Sequence, residues 1–469
     1  MEEFFRNNDF EEQQTRASVR EFENMLLEDS FFFIDLGKVE VIYNYYFQTN
    51  ELHKARKLVD FALQSHPSSG ALYYKLAKLE FEYSQYGNAL GFIDTALSYS
   101  PLQIDYSIFK AEILVRLDRN KDSLDLMEEV LSISTRPEEI YMTMGNLAQI
   151  SGDPVLSEEY YKRSLAIKPD FEEAVYELAF LLESEDRLTD SIALYEAYLD
   201  DYPYSEMVWY NLGVQYRKTG NYERAIECFD YCLAINDELS AAYFQKGQLQ
   251  MDLGRYQDAL QSFLEANSLT PYDVHTLFHV ADCYENLNMF RDAIRYYTKT
   301  SQVDPDFLDA FIGIGYCLEK QEKFMEAIHY YEKAFKLDDE NPDVCMSIAT
   351  CEFKLGNKHS SYMYLERAIQ LNPQDVSIWQ DWSTLLHEHT QYEGAISFLE
   401  EGLKHNPSEA ELYFQLAAYC LETGHRSKGL NYLEHGLLLD YQAHYYLFHV
   451  DASLKHEPEV MELIRIYKV

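Results

Sequence analysis

A chain of 469 residues carries 80 acidic against 39 basic side chains, a formal charge of −41, with 47% apolar residues and as many as 40 Tyr and 27 Phe. That charge argues against nucleic acid, whose phosphates demand a basic stripe, and against an anionic membrane surface. No run approaches the roughly 18 consecutive apolar residues of a membrane-crossing helix.

Residues 1–35 hold ten acidic and three basic side chains. Met1 to Glu12 has neither the basic nor the apolar stretch of an export signal. Val19, Phe22, Met25 and Leu26 are spaced for one apolar helical face, which predicts a capping helix after a frayed start of about a dozen residues.

From residue 36 a 34-residue ruler takes over. Pro67, Pro101, Pro169, Pro203, Pro271, Pro305, Pro373 and Pro407 share one phase of it, eight of the twelve prolines in the chain. Units begin at Leu36, Gly70, Ile104, Glu138, Glu172, Glu206, Ser240, Val274, Leu308, Pro342, Val376 and Ala410, with no insertion or deletion. The eighth position is nearly always small (Ala77, Gly145, Gly213, Gly247, Gly315), and so is the twentieth (Ala55, Ser123, Ala225, Ala259, Ser361). The twenty-fourth is large (Ile93, Tyr161, Phe229, Phe263, Tyr331), as expected where one helix presents knobs and its partner leaves room for them. The prolines fall at position thirty-two, where a fixed φ helps to stop a helix. The third unit, with Ser107, Lys110, Asn120 and Thr135, and the tenth, with Cys345, Lys358 and Ser361, fit the pattern less well and predict looser joints. Beyond residue 443, Val460, Leu463, Ile464 and Tyr467 repeat an i, i+3, i+4, i+7 spacing behind Pro458, a closing helix over an otherwise exposed apolar end.

On these columns the chain resembles the tetratricopeptide repeat family. The unit containing Trp209, Leu212, Gly213, Tyr216, Gly220, Tyr222, Ala225 and Phe229 is close to the family consensus, with Cys232 and Asp237 standing where the family has Ala and Pro. The resemblance implies an all-α fold, an α-solenoid of stacked helix-turn-helix units wound into a right-handed superhelix. It divides the chain into an acidic segment with a capping helix (1–35), twelve tandem units (36–443) and a partial thirteenth unit or closing helix (444–469).

In that family the second, fifth, ninth and twelfth positions of the first helix face a concave groove that binds peptide segments of other proteins. Here the fifth column presents Tyr74, Tyr176, Tyr210, Phe244, Phe278 and Ile312. Phe180, Met251, Tyr316 and Phe353 join them from the ninth and twelfth, with Arg217 and Lys354 alongside as cations. These twelve residues are the candidate partner-binding groove. Each fifth-column ring has a second reading, packing against the next unit.

Two better-known family sites are absent from the pattern. No unit has the Lys and Asn at positions five and nine that clamp a terminal carboxylate, and the sixth column holds only Asn211 where a sugar-transferring relative carries an Asn ladder. No phosphate-binding or nucleophile-elbow motif occurs. His275, His279 and Asp282 share a helix face, but solvated or interface histidines explain them without a metal. No cofactor is implied. The seven cysteines lie at repeat positions with no CxxC spacing, which predicts free buried thiols and a reducing, cytoplasmic setting. The sequence therefore predicts a non-enzymatic scaffold or adaptor that holds other proteins through extended or helical segments. A peptide-sensing regulator acting through a partner is the alternative.

Overall fold

The computed structural model describes residues 15–24 and 33–468, and no strand occurs among them. It divides into two compact units, one ending at Cys228 and the other beginning at Phe229.

In the first unit, thirteen-residue helices Leu36–Gln48, Gly70–Glu82, Ile104–Arg116 and Glu172–Ser184 alternate with fourteen-residue helices such as Leu52–Ser65, Tyr86–Tyr99 and Asn120–Ile133. Each packs on the next. The fourth first helix starts at Pro137, one residue before the 34-residue phase, because proline at N1 gives up no hydrogen bond and its φ is already helical. Residues 15–24 are helical, and Val19 and Phe22 are buried against a cluster that includes Ile42, Tyr46 and Leu58. Ion pairs Lys38–Glu21 (3.1 Å) and Lys54–Glu23 (3.0 Å) flank that contact. Met25, Leu26 and the first fourteen residues lie outside the described residues. The third pair borders a cleft of about 370 Å³ whose lining includes Leu124, Leu147 and Asn120, and the Asn120 side-chain oxygen is buried there without a hydrogen-bond partner.

The second unit repeats the design from Ser240–Asp252 to Arg426–Leu439. Between Lys358–Leu371 and Val376–Glu388 the backbones stand further apart than at the other consecutive helices of this run. Trp382 fills the gap, with Phe353 (5.4 Å) and Tyr362 (5.8 Å) set edge-on to its indole. After Leu439 the thirteen-residue first helix does not recur. A six-residue helix, Tyr445–Val450, leads through a 3-10 turn to Pro458–Ile466, which buries Val460 and Ile464 against Leu447 and Leu454.

The small and large columns meet as complementary shapes. Gly145 lies against the Tyr161 ring, Gly247 against Phe263 and Gly315 against Tyr331, each so close that a Cβ would collide. At the twentieth position Ser123, Ser157 and Ser361 each donate a hydrogen bond to the eighth-position carbonyl of Ala111, Gly145 and Ala349, at 2.8–2.9 Å. A buried hydroxyl is thus satisfied without widening the crossing.

All twelve turns within pairs share one geometry. The fifteenth residue of each unit has a φ between +56° and +84°, and only five of the twelve are glycine. The N–H of the next residue donates back to the eleventh-position carbonyl at 2.7–2.9 Å, closing a Schellman motif in every case, from Glu51 to Tyr46 through to His425 to Cys420. Asn50, Asp118, Asp186 and Asn288 tolerate the left-handed region, whereas β-branched Thr390, at +61°, is strained there. Thr390→Gly is expected to stabilise the protein by about 0.5–1 kcal/mol, the relief of that strain less the added freedom of the unfolded chain. A denaturant midpoint that stays or falls would contradict it.

All seven cysteines are free and buried. Burial pushes the thiols of Cys228 and Cys283 up to about 12 and that of Cys420 up to about 11, so they remain protonated and unreactive.

Candidate partner-binding surfaces

All twelve candidate residues lie on first helices. The fifth-position rings are half-buried, which joins the two readings left open by the sequence: one edge of each ring packs inside the protein and the other meets solvent. In the first unit, Tyr74 stacks on Tyr106 at 4.5 Å and meets Phe109 edge-on at 5.5 Å, with the Lys78 ammonium 4.7 Å from its ring centre. Tyr176 donates its hydroxyl to Glu172 at 2.8 Å, and burial, then that carboxylate, push its phenol well above the usual range. Tyr210 is half-buried, Arg217 is exposed, and Phe180 stands 59% exposed.

In the second unit, Phe244 and Phe278 both contact the imidazole of His279, at 5.4 and 5.6 Å, and the His279 ring is stacked on Phe263 at 5.1 Å. Phe244 and His279 line an open cleft of about 610 Å³ between Ser240–Asp252 and Val274–Asn286. Burial, with neighbouring His275, lowers the His279 pKa, so the ring is neutral near pH 7. Asp282 accepts a hydrogen bond from the Asn286 amide at 2.7 Å, and no group of three His, Cys, Asp or Glu side chains able to hold a metal occurs among the described residues. Met251 and Ile312 pack at the edge of the buried cluster beneath Phe244 and Phe278. Tyr316 is 37% exposed, with Lys320 over its ring at 4.9 Å.

Two expectations need correction. Phe353 is not on an open surface: it is 7% exposed, because Trp382 and His389 cover it with edge-on ring contacts at 5.4 and 5.2 Å. Lys354 is not an uncommitted cation, since its ammonium lies 3.8 Å from Glu319 and over the Phe324 ring at 5.4 Å. The same arrangement recurs in the first unit, where Lys218 pairs with Glu183, a carboxyl held below its usual range by that contact and by the Gln215 amide. Both pairs join position twelve of one unit to position thirteen of the next, 35 residues on. The Glu-to-Lys spacing of 35 residues is the sequence signal for such a pair.

The sequence reading also missed a cleft of about 500 Å³ in the first unit. Tyr74, Phe81 and Phe109 line it together with Glu82, Asp105 and Glu112. Alternation of aromatic and acidic residues at its positions was the available signal.

Among the described residues no helix is long and apolar enough to cross a membrane. Sequence models of the tetratricopeptide repeat match residues 142–206, 207–239, 240–273, 308–341 and 342–375. A TPR repeat-containing protein of Methanocaldococcus jannaschii, MJ1428, is 23% identical over 261 residues, covering 53% of this chain and 46% of that protein. A DnaJ homolog subfamily C member 7 homolog of Dictyostelium discoideum is 24% identical over 201 residues, covering 39% of this chain and 37% of that one. The alignment thus spans less than half the length of either relative. Among solved structures, YrrB, described as a TPR protein with an unusual peptide-binding site, superimposes with a TM-score of 0.37 and 16% identity over 42% of this chain and 97% of its own. With its paired helices, its glycine-under-ring crossings and the repeat models matched over residues 142–273 and 308–375, the chain is a tetratricopeptide repeat protein.

Proposed function

We propose that the first helices bind extended or helical segments of partner proteins through their half-buried fifth-position rings and the exposed rings beside them. The observation that carries this reading is the exposure of Phe180 next to half-buried Tyr176 in the first unit and of Tyr316 next to half-buried Ile312 in the second: an apolar edge on a first helix is a surface that gains by being covered. Tyr74, Tyr176, Phe180, Tyr210 and Arg217 serve in the first unit, and Phe244, Met251, Phe278, Ile312 and Tyr316 in the second. On this reading residues 36–443 work as twelve tandem units and the flanking segments close the ends. The protein acts without catalysis, apart from nucleic acid and membrane, in a reducing cytoplasm. The −41 charge and the seven buried thiols support that setting.

Aromatic anchors typically account for about 2 kcal/mol or more each at true binding hot spots. The double change Tyr210→Ala with Phe244→Ala should therefore abolish recovery of partners by affinity capture and mass spectrometry, while the helical circular dichroism spectrum and melting profile stay close to the parent's. Undiminished recovery in the folded variant would sink the reading, and so would unfolding, which would assign both rings to the core.

A further inference from the structure

The cleft between Gly70–Glu82 and Ile104–Arg116 has a chemistry of its own. Its floor is aromatic, formed by Phe47, Tyr74, Phe81 and Phe109, with the Phe81 and Phe109 rings 5.3 Å apart. Glu82, Asp105 and Glu112 stand around it, and among the described residues none of the three is in an ion pair. The floor already draws cations from the chain itself: Lys78 lies over Tyr74 at 4.7 Å and the Arg116 guanidinium lies 5.9 Å from the Phe81 ring centre. Burial raises the Glu112 carboxyl above its usual range. Arg116 and Lys78 oppose that shift and Glu82 adds to it, so this carboxylate is incompletely compensated.

We infer that this cleft seats an arginine side chain carried by a basic segment of a partner protein. Arginine is the best match because its planar guanidinium stacks on ring faces while its fork of donors reaches carboxylates at the edge, which a lysine ammonium cannot do at once. A volume of about 500 Å³ leaves room for the side chain and its flanking backbone. The chain's excess of 80 acidic over 39 basic residues favours the approach of such a segment. The inference rests on the first-helix surfaces being partner-binding.

The test uses the full chain and three probes, N-acetyl-arginine amide and its lysine and citrulline counterparts, titrated by saturation-transfer NMR. The arginine probe should bind at least about tenfold more tightly than uncharged citrulline, the equivalent of about 1.4 kcal/mol. Glu82→Gln with Glu112→Gln should erase that preference. Glu128→Gln with Glu129→Gln, an equal change of net charge on an exposed helix face, should leave it intact. Should the double cleft variant lose helicity, exposed Glu82→Gln alone carries the comparison. Equal binding of arginine and citrulline, lysine binding as tightly as arginine, or equal losses in both charge variants would each overturn the inference. Partner capture separates the two levels: a partner lost by Tyr210→Ala with Phe244→Ala but kept by Glu82→Gln with Glu112→Gln would leave the surfaces standing and remove the arginine seat.

Discussion

Trp382→Ala is expected to destabilise the second unit by about 3–5 kcal/mol, the range for deleting a large buried aromatic whose surroundings cannot collapse. Trp382 is fully buried, and it fills the space where Lys358–Leu371 and Val376–Glu388 stand apart. Phe353 and Tyr362 lean on its indole edge-on, so its removal also strips the support from both. Hydrogen exchange in the full chain should show the loss at Val376–Glu388 and its neighbours, with Gly70–Glu82 unaffected, because each pair of a repeat array packs chiefly on adjacent pairs. A finer comparison separates packing from hydrogen bonding. The indole N–H of Trp379 donates to the Pro373 carbonyl at 3.0 Å, whereas that of Trp382 is buried with no partner. Trp379→Phe should therefore cost about 1 kcal/mol more than Trp382→Phe. Equal costs, or protection lost uniformly along the chain, would contradict this account.

The second large effect comes from one methyl group placed in two helices with opposite results. Gly315 has its missing Cβ position 2.5 Å from the Tyr331 ring, and Tyr331 is 1% exposed with its hydroxyl donating to Glu319 at 3.1 Å. Gly315→Ala gains up to about 1 kcal/mol of helix propensity and loses roughly 1–3 kcal/mol to overpacking, so it destabilises, and Gly315→Leu does so further. Gly91, inside Tyr86–Tyr99, has nothing within 4 Å of its missing Cβ. Gly91→Ala should keep the propensity term alone and stabilise by about 0.5–1 kcal/mol. Denaturant unfolding of both variants decides it, and changes of the same sign would refute the crossing geometry.

The helix positions were legible because the 34-residue pattern records a contact between shapes: Gly145 with Tyr161, Gly247 with Phe263. A reader who sees small facing large at a fixed offset already sees the pair. The left-handed turn column was not legible as a column. Asn, Asp, Ser, Glu, Thr and Gly all occupy it, since a cost of about 1–2 kcal/mol can be borne locally when the Schellman bond returns part of it. At the candidate site the fifth-position aromatics were identified, but a hydrophobic letter does not say how much of a ring is covered. Ile312 and Phe353 look alike in sequence, yet one is half-buried and the other belongs to the core. The charges misled for a related reason. Lys354 looked unpaired because its carboxylate lies 35 residues earlier, a distance that becomes short only once one first helix is laid beside the next.

That closeness in sequence of everything that touches has a consequence during synthesis. Hydrogen bonds linking one pair to the next, such as Gln415 to Thr384 or Tyr432 to Glu400, reach back only 31 or 32 residues. At about 5–20 residues per second a ribosome releases one 34-residue pair roughly every two to seven seconds, and helices form within about a microsecond. Each new pair thus finds its docking surface already folded when it emerges. The nascent chain exposes one raw edge at a time, and the repulsion carried by a net charge of −41 opposes the joining of neighbouring nascent chains there.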